Sequence, residues 1–514
     1  MRFKVLSAIM SLVVWCEPAQ AAWHEASSDH FVIYADDSEG DITRFAQQLE
    51  KYHAGLSLVT GSATAVPSPS NRVTVYVVRN EREVRALHGG DAKNVAGFYV
   101  PRAGGSMAIV PAVQTRSGAI TLSMVILLHE YAHHFMMSSS SAAMPRWFNE
   151  GAAEFFASAQ FEADGSMWLG RPAAHRAGEL LYARDVKAAD LLDSTEYDKR
   201  KSGSQDAFYG KSWALYHYLM FEPGRKGQFS RYTALLSAGK GQREAAVEAF
   251  GDLAALEKDL DRYLARTRLH AMKLGPERLQ VGPVHVRALT AGEAAIMPVR
   301  IRSKKGVSSQ GDEAARLLKQ AREIAALYPK DPAVLSALAE CEHDAGHEKE
   351  AIAAADAAIK LDPTQVNAYV QRGLALFRLA AEAKDKSASF KAARAAFIAL
   401  NKLEHDHPLP LIYFYRSYVE QGDKPPAIAL DGLIRAAEVA PFDMALRMNL
   451  GSALVRLGRG PEARTVLQPL AHNPHGGRMV AAARQIVERI DREPTWKGED
   501  MHSPSQKELE EPGT

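Results

Sequence analysis

The sequence predicts a two-part fold, in which an α+β domain with a small mixed sheet and helices is followed by an all-α domain of helical repeats. Three observations predict it: short alternating apolar stretches lie between helical patterns near the start, one long apolar helix follows them, and regularly spaced prolines divide the second half. A chain of 514 residues is also too long for one domain. We assign the segments as follows: 1–21 signal peptide, 22–270 α+β domain, 271–309 strand-containing linker, 310–492 helical repeats and 493–514 disordered tail.

The N-terminus has the pattern of a secretory signal. Arg2 and Lys4 precede an apolar run from Val5 to Trp15, and Pro18 to Ala21 ends in the A-x-A pattern of a cleavage site. The apolar run is too short to span a bilayer stably, and no later run approaches 18 apolar residues. We expect cleavage after Ala21, no transmembrane segment after cleavage, and a periplasmic or secreted protein.

The charge balance and the cysteine content bear on nucleic-acid binding and on disulfide formation. The 62 basic residues are balanced by 61 acidic ones, which gives no electrostatic footprint for nucleic acid. The basic cluster from Arg300 to Lys305 is typical of a solvated, flexible linker. After signal cleavage Cys341 would be the one cysteine left, so the mature chain could form no internal disulfide. We expect its thiol to be buried and unreactive.

The first domain combines strands and helices. The elements predicted from periodicity are strands at His30–Tyr34 and Arg72–Val78, helices at Asp41–Leu58 and Glu81–His88, and a hairpin over Gly97–Val110. The stretch from Ala108 to Val113 has two interpretations. It is either a sheet edge that faces a substrate or a plain structural strand.

The long apolar helix from Ala119 to Met137 carries His-Glu-Tyr-Ala-His at positions 129–133. Residues four apart share one face of a helix, so His129 and His133 point at one centre, which Glu130 flanks. Two neutral imidazoles suit Zn²⁺, and a neighbouring glutamate can take a proton from a metal-bound water. Burying these side chains without a partner would be costly, and a metal removes that cost.

A second helix pattern follows at 145–156, with the sequence Pro-Arg-Trp-Phe-Asn-Glu-Gly-Ala-Ala-Glu-Phe-Phe. Its acidic residues, Glu150 and Glu154, are four apart and share a face. Together with His-Glu-Tyr-Ala-His, this sequence resembles the gluzincin clan of zinc peptidases, the relatives of thermolysin and aminopeptidase N. The resemblance implies a zincin-like metallopeptidase fold for 22–270, one zinc ion per chain, and Glu150 as the third ligand beside His129 and His133.

The same resemblance implies roles for two further residues. Glu154 matches the carboxylate that holds a ligating histidine in the correct tautomer. Tyr209 matches a tyrosine that binds the transition state, at the start of a helix predicted over Asp206–Phe221; a tyrosine that serves packing alone is the other interpretation. His217 on this helix is better explained as a core histidine than as a ligand.

After residue 310 the chain is helical and repetitive. Small and apolar residues recur between prolines that are 34, 45, 33 and 33 residues apart, namely Pro329, Pro363, Pro408, Pro441 and Pro474. This pattern resembles a tetratricopeptide repeat (TPR) array of about three repeats with partial ones at its ends. The second unit carries about 11 extra residues, around Ala381 to Ser389. The aromatic cluster from Tyr413 to Tyr418 is either core packing or a peptide-binding stripe.

These patterns favour an exported zinc peptidase, with Glu130 as the general base and Tyr209 on the oxyanion. The G-x-M-E-N signature with which aminopeptidases of this clan grip a free N-terminus is missing, which favours an endopeptidase. The expected partners are a peptide or protein substrate and a protein bound in the TPR groove. The alternative is an envelope scaffold that binds proteins through the array, with a catalytically inert zinc domain.

Overall fold

The structure is a computed structural model, and it describes residues 23–62, 65–89, 95–112, 120–139, 144–182, 186–193, 197, 207–307, 311–473 and 477–501. The predicted signal peptide lies outside these residues, so cleavage after Ala21 and export stay predictions. None of the described helices is both long and apolar enough to cross a membrane.

Within the described residues, nine strands form two sheets. They are β1 His24–Ser27, β2 Phe31–Ala35, β3 Val73–Val77, β4 Phe98–Val100, β5 Met107–Val110, β6 Gln160–Phe161, β7 Met167–Leu169, β8 Met272–Leu274 and β9 His285–Ala288. The larger sheet has the order β4-β5-β3-β2-β1-β9, with parallel pairs at β2–β3 and β3–β5, and the smaller has the order β6-β7-β8. The predicted small mixed sheet, including the hairpin β4–β5, is therefore present.

The sheet order corrects one interpretation. β5 pairs on both sides, antiparallel with β4 and parallel with β3. Residues 108–110 therefore lie inside the sheet, and their interpretation as an edge that faces a substrate is wrong. The edge on this side is β4, the other strand of the hairpin.

The helices of the first domain pack on the two sheets and on one another. They are α1 Glu39–Thr60, α2 Glu81–His88, α3 Leu122–Ser139, α4 Arg146–Ala157, α5 Ala177–Tyr182, α6 Ala188–Leu191, α7 Phe208–Phe221, α8 Gln228–Ser237, α9 Gln242–Phe250 and α10 Leu253–Leu264. Buried residues of α1, α3, α4 and α7 form one continuous apolar core with one face of the sheet. The mostly apolar α3 has its side chains buried there, as its composition predicts.

The segment 271–309 contains the predicted strands but is no simple linker. β8 extends the smaller sheet and β9 pairs with β1 at the edge of the larger one. The basic cluster predicted to be flexible is the end of helix α11, Ala291–Lys305, which begins with a capping box between Thr290 and Glu293. Arg300 on this helix lies over the ring of Tyr34, 4.7 Å from its centroid. Its positive charge is held in the fold because the aromatic face stabilises it.

Residues 311–492 form a TPR-like array of antiparallel helices. They are α12 Glu313–Leu327, α13 Pro332–Asp344, α14 Glu348–Leu361, α15 Val366–Glu382, α16 Lys386–Leu403, α17 Pro408–Gln421, α18 Ala427–Val439, α19 Met444–Arg456, α20 Gly460–Ala471 and α21 Gly477–Arg492. The prolines at 329, 363 and 441 lie in turns between hairpins, Pro408 begins α17, and Pro474 lies outside the described residues. Cys341 is buried in α13, and burial raises the pKa of its thiol.

The array also shows where the second unit gains its extra residues. They lengthen both helices of the hairpin, since α15 has 17 residues and α16 has 18. In the neighbouring unit, Tyr413 stacks on Phe397 with the ring centroids 5.0 Å apart, which supports packing as its role. Arg394 covers the ring of Tyr418 at 4.4 Å.

The tail prediction is wrong for its first residues. Residues 493–501 are described, and Trp496 packs half-buried against the apolar cluster of α19. Its indole Nε1 donates a hydrogen bond to Asp500 at 2.9 Å. Residues 502–514 lie outside the described part of the chain, so disorder there stays a prediction.

Close packing inside one hairpin can be tested at Gly451. A Cβ added there would lie 2.4 Å from Cγ of Leu467, a fully buried side chain. We expect Gly451→Ala to destabilise the array by about 1–3 kcal/mol, because a well-packed core resists added volume. Gly432→Ala is the control, since its nearest neighbours are 3.8 Å away and helical Ala is favoured over Gly. Equal urea midpoints for Gly451→Ala and the wild type would contradict this packing.

Candidate metal centre

Helix α3 brings the two histidines of the first motif together. The helix starts after Thr121, whose Oγ1 accepts a hydrogen bond from the Met124 amide at 3.3 Å. One turn apart on the same face, His129 and His133 have their Nε2 atoms 3.1 Å apart. His129 is buried and His133 is half-buried, so the pair lies where the helix meets the surface.

Helix α4 supplies the carboxylate. Glu150 is fully buried, and its Oε2 lies 3.3 Å from His129 Nε2 and 3.4 Å from His133 Nε2. The next residue, Gly151, allows α7 to approach: a Cβ at this position would lie 2.5 Å from the carbonyl oxygen of Ser212. The small residue after Glu150 therefore permits the helix packing that holds the carboxylate in place.

The three donor atoms fit a tetrahedral metal. Their separations of 3.1, 3.3 and 3.4 Å form a nearly equilateral triangle. Four ligands at the usual zinc distances of about 2.0–2.1 Å would be about 3.3–3.4 Å from one another. Among the described residues, His129, His133 and Glu150 are the one group of at least three His, Cys, Asp or Glu whose donor atoms all lie within 4.8 Å. Two imidazoles and a carboxylate are also a donor set that zinc accepts.

The electrostatics of the centre favour a cation. Burial alone would lower the pKa of His129, but the carboxylates of Glu150 and Glu154, one beside each ring nitrogen, raise it to about 10. Two buried carboxylates thus require positive charge between them. A proton or a metal ion can supply that charge, and the two compete for the same imidazole nitrogen.

Glu154 lies behind His129. Its Oε1 is 3.3 Å from His129 Nδ1, the ring nitrogen that faces away from Glu150. Arg176 donates to the same oxygen from Nε at 3.0 Å and from Nη2 at 2.6 Å, and His175 Nε2 lies 2.5 Å from Oε2. Despite its burial, these partners hold the pKa of Glu154 well below its usual range. Glu154 is therefore an anion that can fix the orientation of the His129 ring.

His175 and Arg176 are site residues that the sequence patterns did not predict. They lie in a short 3₁₀ turn, Ala174–Arg176, directly before α5 and after a segment that has neither a motif nor a clear helical period. The one available signal was indirect, because a buried Glu154 needs cationic partners. That requirement gives the charge of the missing residues but not their position in the chain.

Glu130 and Tyr209, the residues with implied catalytic roles, lie on α3 and α7. Glu130 is half-buried on α3, next to His129 in the chain. The Tyr209 ring lies at the start of α7, with its centroid 6.4 Å from that of His129, and Arg176 covers it at 4.7 Å. Burial, with the nearby Glu150, raises the pKa of Tyr209 to about 12, so the phenol keeps its proton and can donate a hydrogen bond. Both roles implied by the resemblance stay predictions.

His217 is placed differently from the metal cluster. It is fully buried, with Nδ1 2.7 Å from the Tyr263 hydroxyl and Nε2 2.8 Å from the Gly170 carbonyl oxygen. Burial lowers its pKa to about 4. The interpretation of His217 as a core histidine with satisfied hydrogen bonds is confirmed.

Comparison with known families gives one match in this region. Residues 124–238 match a family model described as a protein of unknown function, DUF1570. The matched segment contains α4, α7 and all of α3 except its first two residues, and hence all the candidate site residues. The match covers less than half of the chain and assigns no activity. A search of curated proteins gave no match.

Comparison with solved structures gives TPR proteins. The chain is similar to TTC0263, a TPR protein of Thermus thermophilus, at 15% identity over 38% of this chain and 100% of that one, with a TM-score of 0.33. It is similar to MamA at 15% identity over 41% and 100% of the two chains, with a TM-score of 0.26. Yeast Tom70 matches at 12% identity over 63% and 69%, with a TM-score of 0.26.

The contact between Glu154 and His129 can be tested by metal affinity. We expect Glu154→Gln to weaken zinc binding about 10–100-fold, because the neutral amide no longer stabilises the ligating imidazole. Competition with a chromophoric chelator measures the affinity. The matched control is Glu248→Gln on α9, which removes a carboxylate from an exposed ion pair with Lys240. Equal zinc affinities for the two variants would show that Glu154 does not act on the metal centre.

Proposed function

We propose that this chain is an exported zinc-dependent peptidase in which His129, His133 and Glu150 hold the metal. The triangle of donor atoms is the observation that carries the proposal, because its edges match those of a tetrahedral zinc site. Three protein ligands leave a fourth position for water, which is typical of catalytic zinc and not of structural zinc. Export rests on the signal pattern of the sequence alone.

The neighbouring side chains supply the rest of the chemistry. When bound, zinc lowers the pKa of a water molecule toward about 7 and polarises a carbonyl group. Glu130 accepts the proton of the attacking water and later delivers it to the leaving amine. The protonated phenol of Tyr209 donates a hydrogen bond to the oxyanion, an effect of about 2–4 kcal/mol on the barrier. Glu154 keeps His129 oriented throughout.

The substrate class follows from an absence in the sequence. The G-x-M-E-N signature that grips a free N-terminus is missing; Gly-Ser-Met-Ala-Ile at 105–109 has no glutamate. The proposal is therefore an endopeptidase or a narrowly specific processing enzyme.

Two substitutions separate metal binding from catalysis. We expect Glu130→Gln to bind zinc as the wild type does and to lose at least about 100-fold in peptide hydrolysis, since the general base is removed. We expect His129→Ala to lose both zinc and activity. Zinc content by atomic emission and cleavage of a mixed peptide library measure the two effects. Equal hydrolysis by Glu130→Gln and the wild type would remove the mechanism.

A protein-binding scaffold is the second candidate. The TPR-like array favours it, because stacked helical hairpins commonly bind proteins. Partner capture on immobilised chains discriminates the candidates. A peptidase predicts that substrates accumulate on Glu130→Gln and are cleaved by the wild type. A scaffold predicts the same partners in the same amounts on both chains, with no cleavage products.

A further inference from the structure

The turns between repeats of the array contact the first domain. We name residues 404–409 and 439–443, which comprise the turns before α17 and α19 and the adjoining helix residues, the docking turns. Ser70 donates to Glu404 from its amide at 2.9 Å and from its hydroxyl at 2.8 Å. Asn71 donates from Nδ2 to the carbonyl oxygen of Val439 at 3.2 Å. Both donors lie in the short segment before β3, so each docking turn is hydrogen-bonded to the segment that leads into this strand.

The tip of the β4–β5 hairpin lies against the same turns. The amide of Ala103 donates to Asp443 Oδ2 at 2.9 Å, and Ala103 is buried in an apolar cluster with Phe442 and Leu446. Gly104 has a φ of +72°, and a Cβ there would lie 3.0 Å from Cε1 of His407. The hairpin that carries the edge strand β4 is therefore held by the array at its tip.

The C-terminal end of α3 contacts one of the docking turns as well. His134, the residue after His133, has its ring centroid 4.3 Å from that of Phe442. Its Nδ1 forms a 2.6 Å hydrogen bond with the hydroxyl of Tyr99 on β4. Met137, one turn after His133, packs against the apolar cluster that contains Phe442. Phe442 thus contacts a side chain that joins α3 to the edge strand.

We propose that Phe442 is a positioning residue through which the repeat array orders the last turns of α3 and the adjoining strand β4. A helix end lacks backbone hydrogen bonds and frays unless its side chains are packed. His133 lies in these last turns, so its imidazole keeps its position only while these turns remain helical. The array is therefore a structural support of the metal centre. Phe442 orders these turns and β4 whether or not a metal is bound. The importance of this ordering for catalysis rests on the proposed function.

The test compares two phenylalanines of the array in the full chain. Phe442→Ala removes the ring at the docking turn. Phe397→Ala removes a ring that is equally buried, but between helices of the array and away from the first domain. Hydrogen exchange followed by mass spectrometry reports on peptides from 98–110 and 122–139. We expect exchange in both peptides to rise at least about fivefold in Phe442→Ala and to stay at the wild-type rate in Phe397→Ala.

Metal affinity gives the second measurement. We expect Phe442→Ala to bind zinc about tenfold more weakly, with a changed absorption spectrum of the Co²⁺-substituted protein, while Phe397→Ala keeps both. Phe442→Leu, which keeps an apolar side chain at the contact, restores at least half of the lost protection. If Phe442→Ala does not fold, Phe442→Leu is compared directly with the wild type, and its exchange in both peptides is expected to exceed the wild-type rate because the ring against His134 is lost.

The outcomes separate this inference from the peptidase proposal. Unchanged exchange in the Phe442 variants, or equal changes in the Phe397 variant, overturns the inference and leaves the peptidase proposal intact. Faster exchange in Phe442→Ala alone, in a chain whose wild type binds no zinc, supports the ordering role and removes the peptidase proposal. Faster exchange together with weaker zinc binding supports both.

Discussion

Two carboxylates taken completely out of water set the main constraint on this structure. Glu150 and Glu154 lie on one face of α4, and a buried anion is costly unless cationic or hydrogen-bonding groups surround it. The two imidazoles of α3 meet Glu150, while Arg176, His175 and the far nitrogen of His129 meet Glu154. Both carboxylates have their partners only when α3, α4 and the turn at His175 and Arg176 are packed together. The packing of the first domain and the geometry of its metal centre therefore depend on the same contacts.

Much of the centre could be predicted because its signals are local. The spacing of His129 and His133 puts them on one face of any helix, and the apolar composition of the segment indicates that helix clearly. The convergence of Glu150 depends on how two helices cross, which the residues alone do not give; the resemblance to a known clan supplied it. The pair His175 and Arg176 had neither advantage, because its place depends on the turn that follows β7.

The errors also have physical reasons. Strand order in a sheet is set by contacts between distant segments, so alternation identified β5 as a strand but could not place it inside the sheet. The charges of 300–305 suggested a solvated linker, although the capping box that begins at Thr290 was present in the sequence and indicates a helix. The early part of the tail is ordered because the apolar ring of Trp496 packs against an apolar cluster of the array. The contacts of the docking turns, too, join residues more than 300 positions apart.

The pairing of β9 with β1 has a consequence for how the chain must be handled and how it folds. The first strand of the domain finds its outer neighbour only some 260 residues later, at His285–Ala288. Until β9 has been synthesised, the backbone amides and carbonyls on one side of β1 therefore have no strand to pair with. A strand with such unpaired groups readily pairs with a strand of a second chain. An expression fragment that stops near residue 270 would keep that row open permanently, and it should assemble into insoluble material even though every candidate metal ligand is present.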